Sequence, residues 1–103
     1  MSGQLPVRIV SSAARAIVEA AEWWVSNRPM APGAFAEELG RALQLVASQP
    51  AIGARAQNLR LAGVRRIRLA RVRYHLYYRV TSTPPTIEIL ALWHTSRGES
   101  PPI

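Results

Sequence analysis

Hydrophobic and polar positions change their period once along this chain, near its middle. Leu5 to Val10 alternates and is β-branched, which predicts a short strand, and Pro6 places it at a strand start or an edge. Ser11 and Ser12 carry hydroxyls able to accept hydrogen bonds from the first free amides of a helix. That helix is predicted over about 13–27, where Ala13, Ile17, Ala20, Ala21 and Trp24 recur at helical spacing as one apolar stripe. Asn27-Arg28-Pro29 ends it, because proline pushes the preceding residue out of helical geometry. Pro32-Gly33 opens a second helix over about 33–48, with Phe35, Leu39, Leu43 and Val46 inward and Glu37, Glu38, Arg41 and Gln44 on the other side. So short a connection predicts an antiparallel helical hairpin.

After Gln49-Pro50, alternation replaces the helical repeat, punctuated by Gly53 and Gly63. Val64 to Leu69 predicts a strand with Ile67 and Leu69 on one face and Arg66 and Arg68 on the other. A second strand runs from Arg73 to Val80, with Tyr74, Leu76, Tyr78 and Val80 facing one way and Arg73, His75, Tyr77 and Arg79 the other. Pro84-Pro85 turns the chain into a third strand, Thr86 to His94, with Ile87, Ile89, Ala91 and Trp93 on one side and Leu90 and Leu92 on the other. A strand apolar on both faces is central or covered. The expected order is β-α-α-β-β-β, an α+β fold with a helical hairpin packed on one face of a small, mainly antiparallel curved sheet. No repeat, low-complexity tract or linker divides the chain, so residues 1–103 are expected to form one domain.

Composition narrows the chemistry. The absence of cysteine removes disulfides, thiolate nucleophiles and zinc–sulfur sites. No metal-ligand cluster, glycine-rich phosphate loop, Ser-His-acid set or paired carboxylates is evident, and no cofactor is expected. The longest apolar run, Ile89 to Trp93, is five residues, too short to cross a bilayer. The start, residues 1–6, lacks the layout of a secretory signal, so a cytoplasmic location is expected. All 13 cations are arginine and all six anions glutamate, giving a net charge of +7. Residues 1–51 hold four of each and balance; residues 52–103 hold nine arginines and two glutamates and carry the whole excess. Such a field favours an anionic partner.

On the sheet face away from the helices, alternation collects Arg66, Arg68, Arg73, His75, Tyr77 and Arg79, with guanidiniums interleaved among rings. Arginine binds phosphate in a bidentate manner and tyrosine or histidine can stack on an unpaired base; a merely solvated strand face is the plainer alternative. His94, followed by Thr95-Ser96-Arg97, stands at a strand end, where histidine serves as acid or base for metal-free RNA cleavage, or orders a loop. Trp23 and Trp24 diverge by about 100° on a helix, so Trp24 fits the inward stripe and Trp23 is half-buried or part of a contact surface. Leu90 and Leu92, on the open face, would leave an apolar strip beside the basic one, suited to an amphipathic acidic segment.

Ala20-Ala21-Glu22-Trp23-Trp24, Pro50-Ala51-Ile52-Gly53, Gly63-Val64-Arg65-Arg66, Tyr77-Tyr78-Arg79-Val80 and Ile89 to Arg97 occur in that order. Together, over about residues 5–102, they resemble the ParE branch of the RelE/ParE toxin superfamily, the toxin halves of bacterial type II toxin–antitoxin modules. The resemblance implies the fold just read and an acidic-tailed antitoxin as partner in a hetero-oligomer. ParE-type members poison DNA gyrase by protein contact; RelE-type members cut messenger RNA in the ribosomal A site, using basic sheet residues and a tyrosine or histidine near the C-terminus. Here the ending, Gly98 to Ile103, has no tyrosine, and lysines frequent in the nuclease branch are missing, so gyrase ranks first as the target. Target contacts are then expected from Arg66, Arg68, Arg73, Tyr77, Arg79, His94 and Arg97, and antitoxin contacts from Trp23, Leu90, Leu92, Arg73 and Arg79. Under the ribonuclease alternative, Arg66, Arg73 and Arg79 stabilise charge and His94 is the acid or base. A non-toxic basic nucleic-acid-binding or adaptor module is the third reading.

Overall fold

The structure, a computed structural model, describes residues 3–103, so Met1 and Ser2, on which the reading of the chain start partly rests, lie outside it. Its elements are β1 (Val7–Ile9), α1 (Ser11–Asn27), α2 (Ala34–Ser48), β2 (Ala54–Arg55), β3 (Arg65–Leu69), β4 (Tyr74–Ser82) and β5 (Pro85–His94). The strands form one sheet in the order β1-β5-β4-β3-β2, antiparallel except where β1 runs parallel to β5. The α+β hairpin-on-sheet architecture is as the sequence predicts, with the short β2 added before β3. At two residues, β2 is too brief to show a period. Helix α1 begins at Ser11 rather than 13: Val10 occupies the cap and no side chain bonds there, so Ser11 and Ser12 lie inside the helix.

The two helices cover one face, α1 over β5 and α2 over β3. Ala13 and Ala20 of α1, and Phe35, Leu39, Ala42 and Val46 of α2, meet Leu69, Leu76, Tyr78, Ile87, Ile89 and Leu92 from the sheet. Ala13 and Ala20, with Ile17 and Trp24, pack α1 on the sheet, while Phe35, Leu39 and Val46 fill the core beneath α2.

Strand β5 departs from simple alternation. Tyr77 pairs with Ala91 and Tyr78 with Ile89, so Leu90 is an extra residue on β5, a β-bulge. Before it, Ile87 and Ile89 face the helices; after it, the phase is reversed, and Leu92 faces the helices while Leu90, Ala91 and Trp93 face away. The expectation that Leu90 and Leu92 share the open face is therefore corrected, as is the placing of Ala91 and Trp93 beside Ile87 and Ile89. Nor is that face bare. Val64, Tyr77, Leu90 and Ala91 form a second buried cluster, roofed by Ala56, Leu59 and Leu61 and by Ile103, whose carbonyl accepts from the Arg60 N–H at 2.8 Å. Leu90 is 5% and Leu92 6% exposed, so neither offers an apolar docking strip.

Two buried polar arrangements tie the sheet together. The Tyr78 hydroxyl donates to the Pro50 carbonyl at 2.7 Å and accepts from the Gly53 N–H at 2.9 Å, fastening the segment after α2 to mid-sheet. Gly53 is required there, since a Cβ would lie 2.7 Å from that hydroxyl and 2.8 Å from the Arg66 carbonyl. At the other end Glu88, 5% exposed, stands in register with Arg8 of β1 and Arg79 of β4. Arg79 Nε donates to Glu88 Oε1 at 2.7 Å, and Arg8 Nη2 donates to Glu88 Oε2. The Arg79 hydrogen bond holds the Glu88 carboxyl below the usual carboxylate range; burial pushes the other way, and the Arg79 and Arg8 charges add to the lowering.

Replacing Tyr78 by phenylalanine leaves the Gly53 N–H and the Pro50 carbonyl without a partner, and should cost about 1–3 kcal/mol in denaturant unfolding. Because the Glu88 carboxyl is depressed in the folded chain, its contribution is complete above the unfolded glutamate range and disappears as pH falls through the folded value. Glu88→Gln should cost about 2 kcal/mol near neutrality, with the gap to the parent narrowing as pH falls through the depressed range of the folded carboxyl, as read by thermal unfolding across a pH series.

Candidate functional site

The expected single basic platform is divided by the fold into three places. At one end of the face away from the helices, Arg66 lies opposite Tyr77, Arg68 opposite His75, and His75 opposite Trp93. Arg66 Nη1 donates to the Tyr77 hydroxyl at 3.3 Å. The Arg97 guanidinium lies 4.0 Å from the Trp93 ring centroid, and Trp93 Nε1 donates to the Glu99 carbonyl at 2.8 Å. Arg66, His75, Tyr77, Trp93 and Arg97 line a hollow of about 230 Å³. Among the described residues only Arg8, Arg71 and Arg79 have a carboxylate within salt-bridge distance, so Arg66, Arg68 and Arg97 keep their charge available to a partner.

Tyr77 does not offer its ring for stacking. It is 3% exposed because it faces the roof formed by Leu59, Leu61 and Ile103, and only its hydroxyl contributes, by holding Arg66. Burial, with the charges of Arg66 and Arg68 beside it, holds the His75 imidazole below its ordinary pKa, which keeps this ring neutral near pH 7.

Arg79 belongs to the second place. Its bond to Glu88 takes it out of the available set and puts a buried acid on the same face, toward the hairpin end of the sheet. The hairpin register supplies the missing signal: counting outward from the Pro84 turn, Ser82 meets Pro85, Thr81 meets Thr86, Val80 meets Ile87, and Arg79 meets Glu88.

Arg73 marks the third place. It lies not on β4 but in the turn before it, at φ 66°, with its N–H donating to the Leu69 carbonyl at 2.8 Å and its carbonyl accepting from Thr95 at 2.9 Å. The left-handed backbone breaks the alternation that would have set Arg73 beside His75, and the side chain reaches the helix side of the sheet, beside Trp23 and Arg28. His94 pairs with Tyr74 and meets its ring edge-to-face at 5.1 Å, and it borders hollows on both sides of the sheet end. Its Nδ1 accepts from the Ser96 N–H at 3.1 Å and lies 2.7 Å from the Ser96 hydroxyl. An acceptor Nδ1 places the proton of the neutral ring on Nε2.

Of the residues expected at the target surface, the fold thus gathers Arg66, Arg68, Tyr77 and Arg97, leaves His94 at the boundary, and separates Arg73 and Arg79. Trp93, which sequence alternation turned inward, joins the site. Trp23 is 46% exposed at the end of α1, and the Arg28 guanidinium lies 5.1 Å from its ring centroid. No group of three or more His, Asp or Glu side chains able to hold a metal occurs among the described residues, and no described helix is long and apolar enough to cross a membrane.

Two solved structures define the fold class. The chromosomal ParDE toxin–antitoxin system from P. aeruginosa superposes with a TM-score of 0.71 at 18% identity, over 92% of this chain and 100% of that one. The RelBE2 toxin–antitoxin complex from Mycobacterium tuberculosis gives 0.63 at 23% identity, over 88% of this chain and 98% of that one. The fold is that of the RelE/ParE toxins. The family model described as the ParE toxin of the type II toxin–antitoxin system parDE matches residues 7–98, and the chain belongs to that family: it is a ParE-type toxin of a type II toxin–antitoxin system. Comparison with curated proteins gives no sequence match.

The two arginines beside His75 have a measurable consequence. Its imidazole should titrate below the ordinary value of about 6.5, and Arg68→Gln should move the midpoint upward, as followed by NMR of the ring protons.

Proposed function

We propose that this toxin arrests growth by inhibiting DNA gyrase through protein contact, and that an acidic antitoxin segment neutralises it at the Arg66, Arg68 and Arg97 end of the sheet. The observation that carries the choice of target is the dispersal of the residues RNA cleavage would need. Phosphorane charge must be met by cations converging on the atom that the acid and base also reach. Arg66 lies on the open face, Arg73 on the helix side, and Arg79 is spent on Glu88. His94 has one ring nitrogen occupied by Ser96, and His75 is kept neutral by burial and two guanidiniums.

A surface with uncompensated Arg66 and Arg97 in one hollow with Trp93, and Arg68 opposite His75 on the same end, is better suited to gripping an acidic protein surface, where arginine and tryptophan contribute most per contact. The same charges suit an acidic antitoxin segment, which would cover them competitively with the target. Among the contacts expected for that partner, Leu90, Leu92 and Arg79 are engaged within the chain, and Trp23 and Arg73 stand on the helix side, so the choice of the cationic end rests on its uncompensated charge.

Purified protein should inhibit supercoiling by gyrase, and replacing Arg66, Arg68 and Arg97 together by glutamine should raise the inhibitory concentration at least about tenfold. His94→Ala should stay within about twofold of the parent, since the ring performs no proton transfer in this reading. Unimpaired supercoiling, together with messenger RNA cuts in the ribosomal A site that His94→Ala abolishes, would establish the nuclease instead.

A further inference from the structure

On the helix side of the sheet, away from the surface just described, lies a cleft of about 600 Å³ between the end of α1, the β3–β4 turn and the end of β5. We propose that it binds a nucleoside di- or triphosphate, with the polyphosphate held by Arg28, Arg71 and Arg73 and the base against Trp23 and Tyr74.

The lining carries three guanidiniums and no carboxylate; Glu19 belongs to the adjoining hollow. Two α2 carboxylates stand near Arg71: the Glu37 oxygen at 4.0 Å from its guanidinium, a loose contact between side chains more than half exposed, and Glu38 Oε2, which accepts from the Arg71 backbone N–H at 3.3 Å and leaves the guanidinium free. Arg28 is positioned over both indoles, 5.1 Å from the Trp23 and 5.7 Å from the Trp24 centroid. The negative end of α1 is already blunted, because the Trp24 carbonyl accepts from Arg28 N–H and the Trp23 carbonyl from Asn27 Nδ2, both at 2.9 Å. Arg73 supplies an independent observation. It holds a positive φ, a conformation that glycine or asparagine adopts more readily, and hydrogen bonds on both sides lock it there. With Nδ1 engaged by Ser96, His94 keeps an Nε2–H donor as a further group at the wall.

The volume and wall chemistry select the ligand. Small-molecule sites run from about 300 to 1,000 Å³, with aromatic walls and a few converging polar groups. A lone phosphate would leave the indole and phenol walls unused. An acidic peptide spaces the carboxylates on one face of an extended strand roughly 7 Å apart, too sparse for three guanidiniums on one such volume. A polyphosphate concentrates that charge, each arginine fork matching two oxygens, and its attached base supplies a planar ring for the aromatic wall.

The test uses the full-length, ¹⁵N-labelled chain titrated with ATP. Its three tryptophans report separately: the Trp23 and Trp24 indole N–H signals should shift saturably, while Trp93, on the opposite face and bonded to Glu99, stays still. By calorimetry, Arg28→Gln and Arg73→Asn should each weaken binding about tenfold, asparagine being chosen because it adopts a positive φ, whereas Arg66→Gln on the other face should change it by less than about twofold. Adenosine and tripolyphosphate should each bind at least about tenfold more weakly than ATP. The proposal is overturned if ATP moves none of the indoles or moves Trp93 with the others, if tripolyphosphate binds as well as ATP, or if an acidic peptide or a 5′-phosphorylated oligonucleotide outcompetes ATP for the cleft. None of these readouts involves gyrase, so this site and the inhibitory surface stand or fall separately.

Discussion

One inserted residue governs how this molecule presents itself. Leu90 has no partner of its own across β4, and the bulge it makes lets a single strand serve two cores. Without it Leu92 would turn away from α1, Trp93 would enter the helix side, and the indole that Arg97 covers would be lost from the surface. Bulges re-aim side chains at the cost of a local break in the ladder; here the break falls where β5 passes between two buried clusters, so packing on both faces compensates for it.

Much of this architecture was legible in the chain. The helical stripes Ala13, Ile17, Ala20, Trp24 and Phe35, Leu39, Val46 specify the inner surface of the hairpin, and regular alternation in β4 sorts Leu76 and Tyr78 from His75 and Tyr77. What escaped was whatever depends on a change of phase. A bulge leaves no mark in composition, since Leu90-Ala91-Leu92 is apolar in either register. The left-handed turn at Arg73 is equally silent, because nothing about arginine announces a positive φ. The roof over Tyr77 depends on contacts between the segment after β2 and Ile103, which no local pattern discloses. The candidate site was legible to the same extent: β3 and β4 alternation brings Arg66, Arg68 and His75 together, whereas the pairing of Arg79 with Glu88 appears only once the hairpin register is counted.

The electrostatics follow from that division. The excess of arginine in the second half does not spread as one sheet of charge. Part of it neutralises Glu88 inside the ladder, part stands on the open end of the sheet, and part lines the cleft beneath α1. Separated by the thickness of the sheet, the last two sets can be occupied at once, and each can be altered with little effect on the other.

The borders of the sheet carry a further meaning. β1 contributes three residues and β2 only two, both exposed, with Arg8 and Arg55 among them. Any intermolecular ladder seeded there would gain few hydrogen bonds, and on the β2 side it would meet the Arg55 charge. A chain that buries so apolar a central strand as β5 thus offers at its margins only two very short strands as templates for another chain.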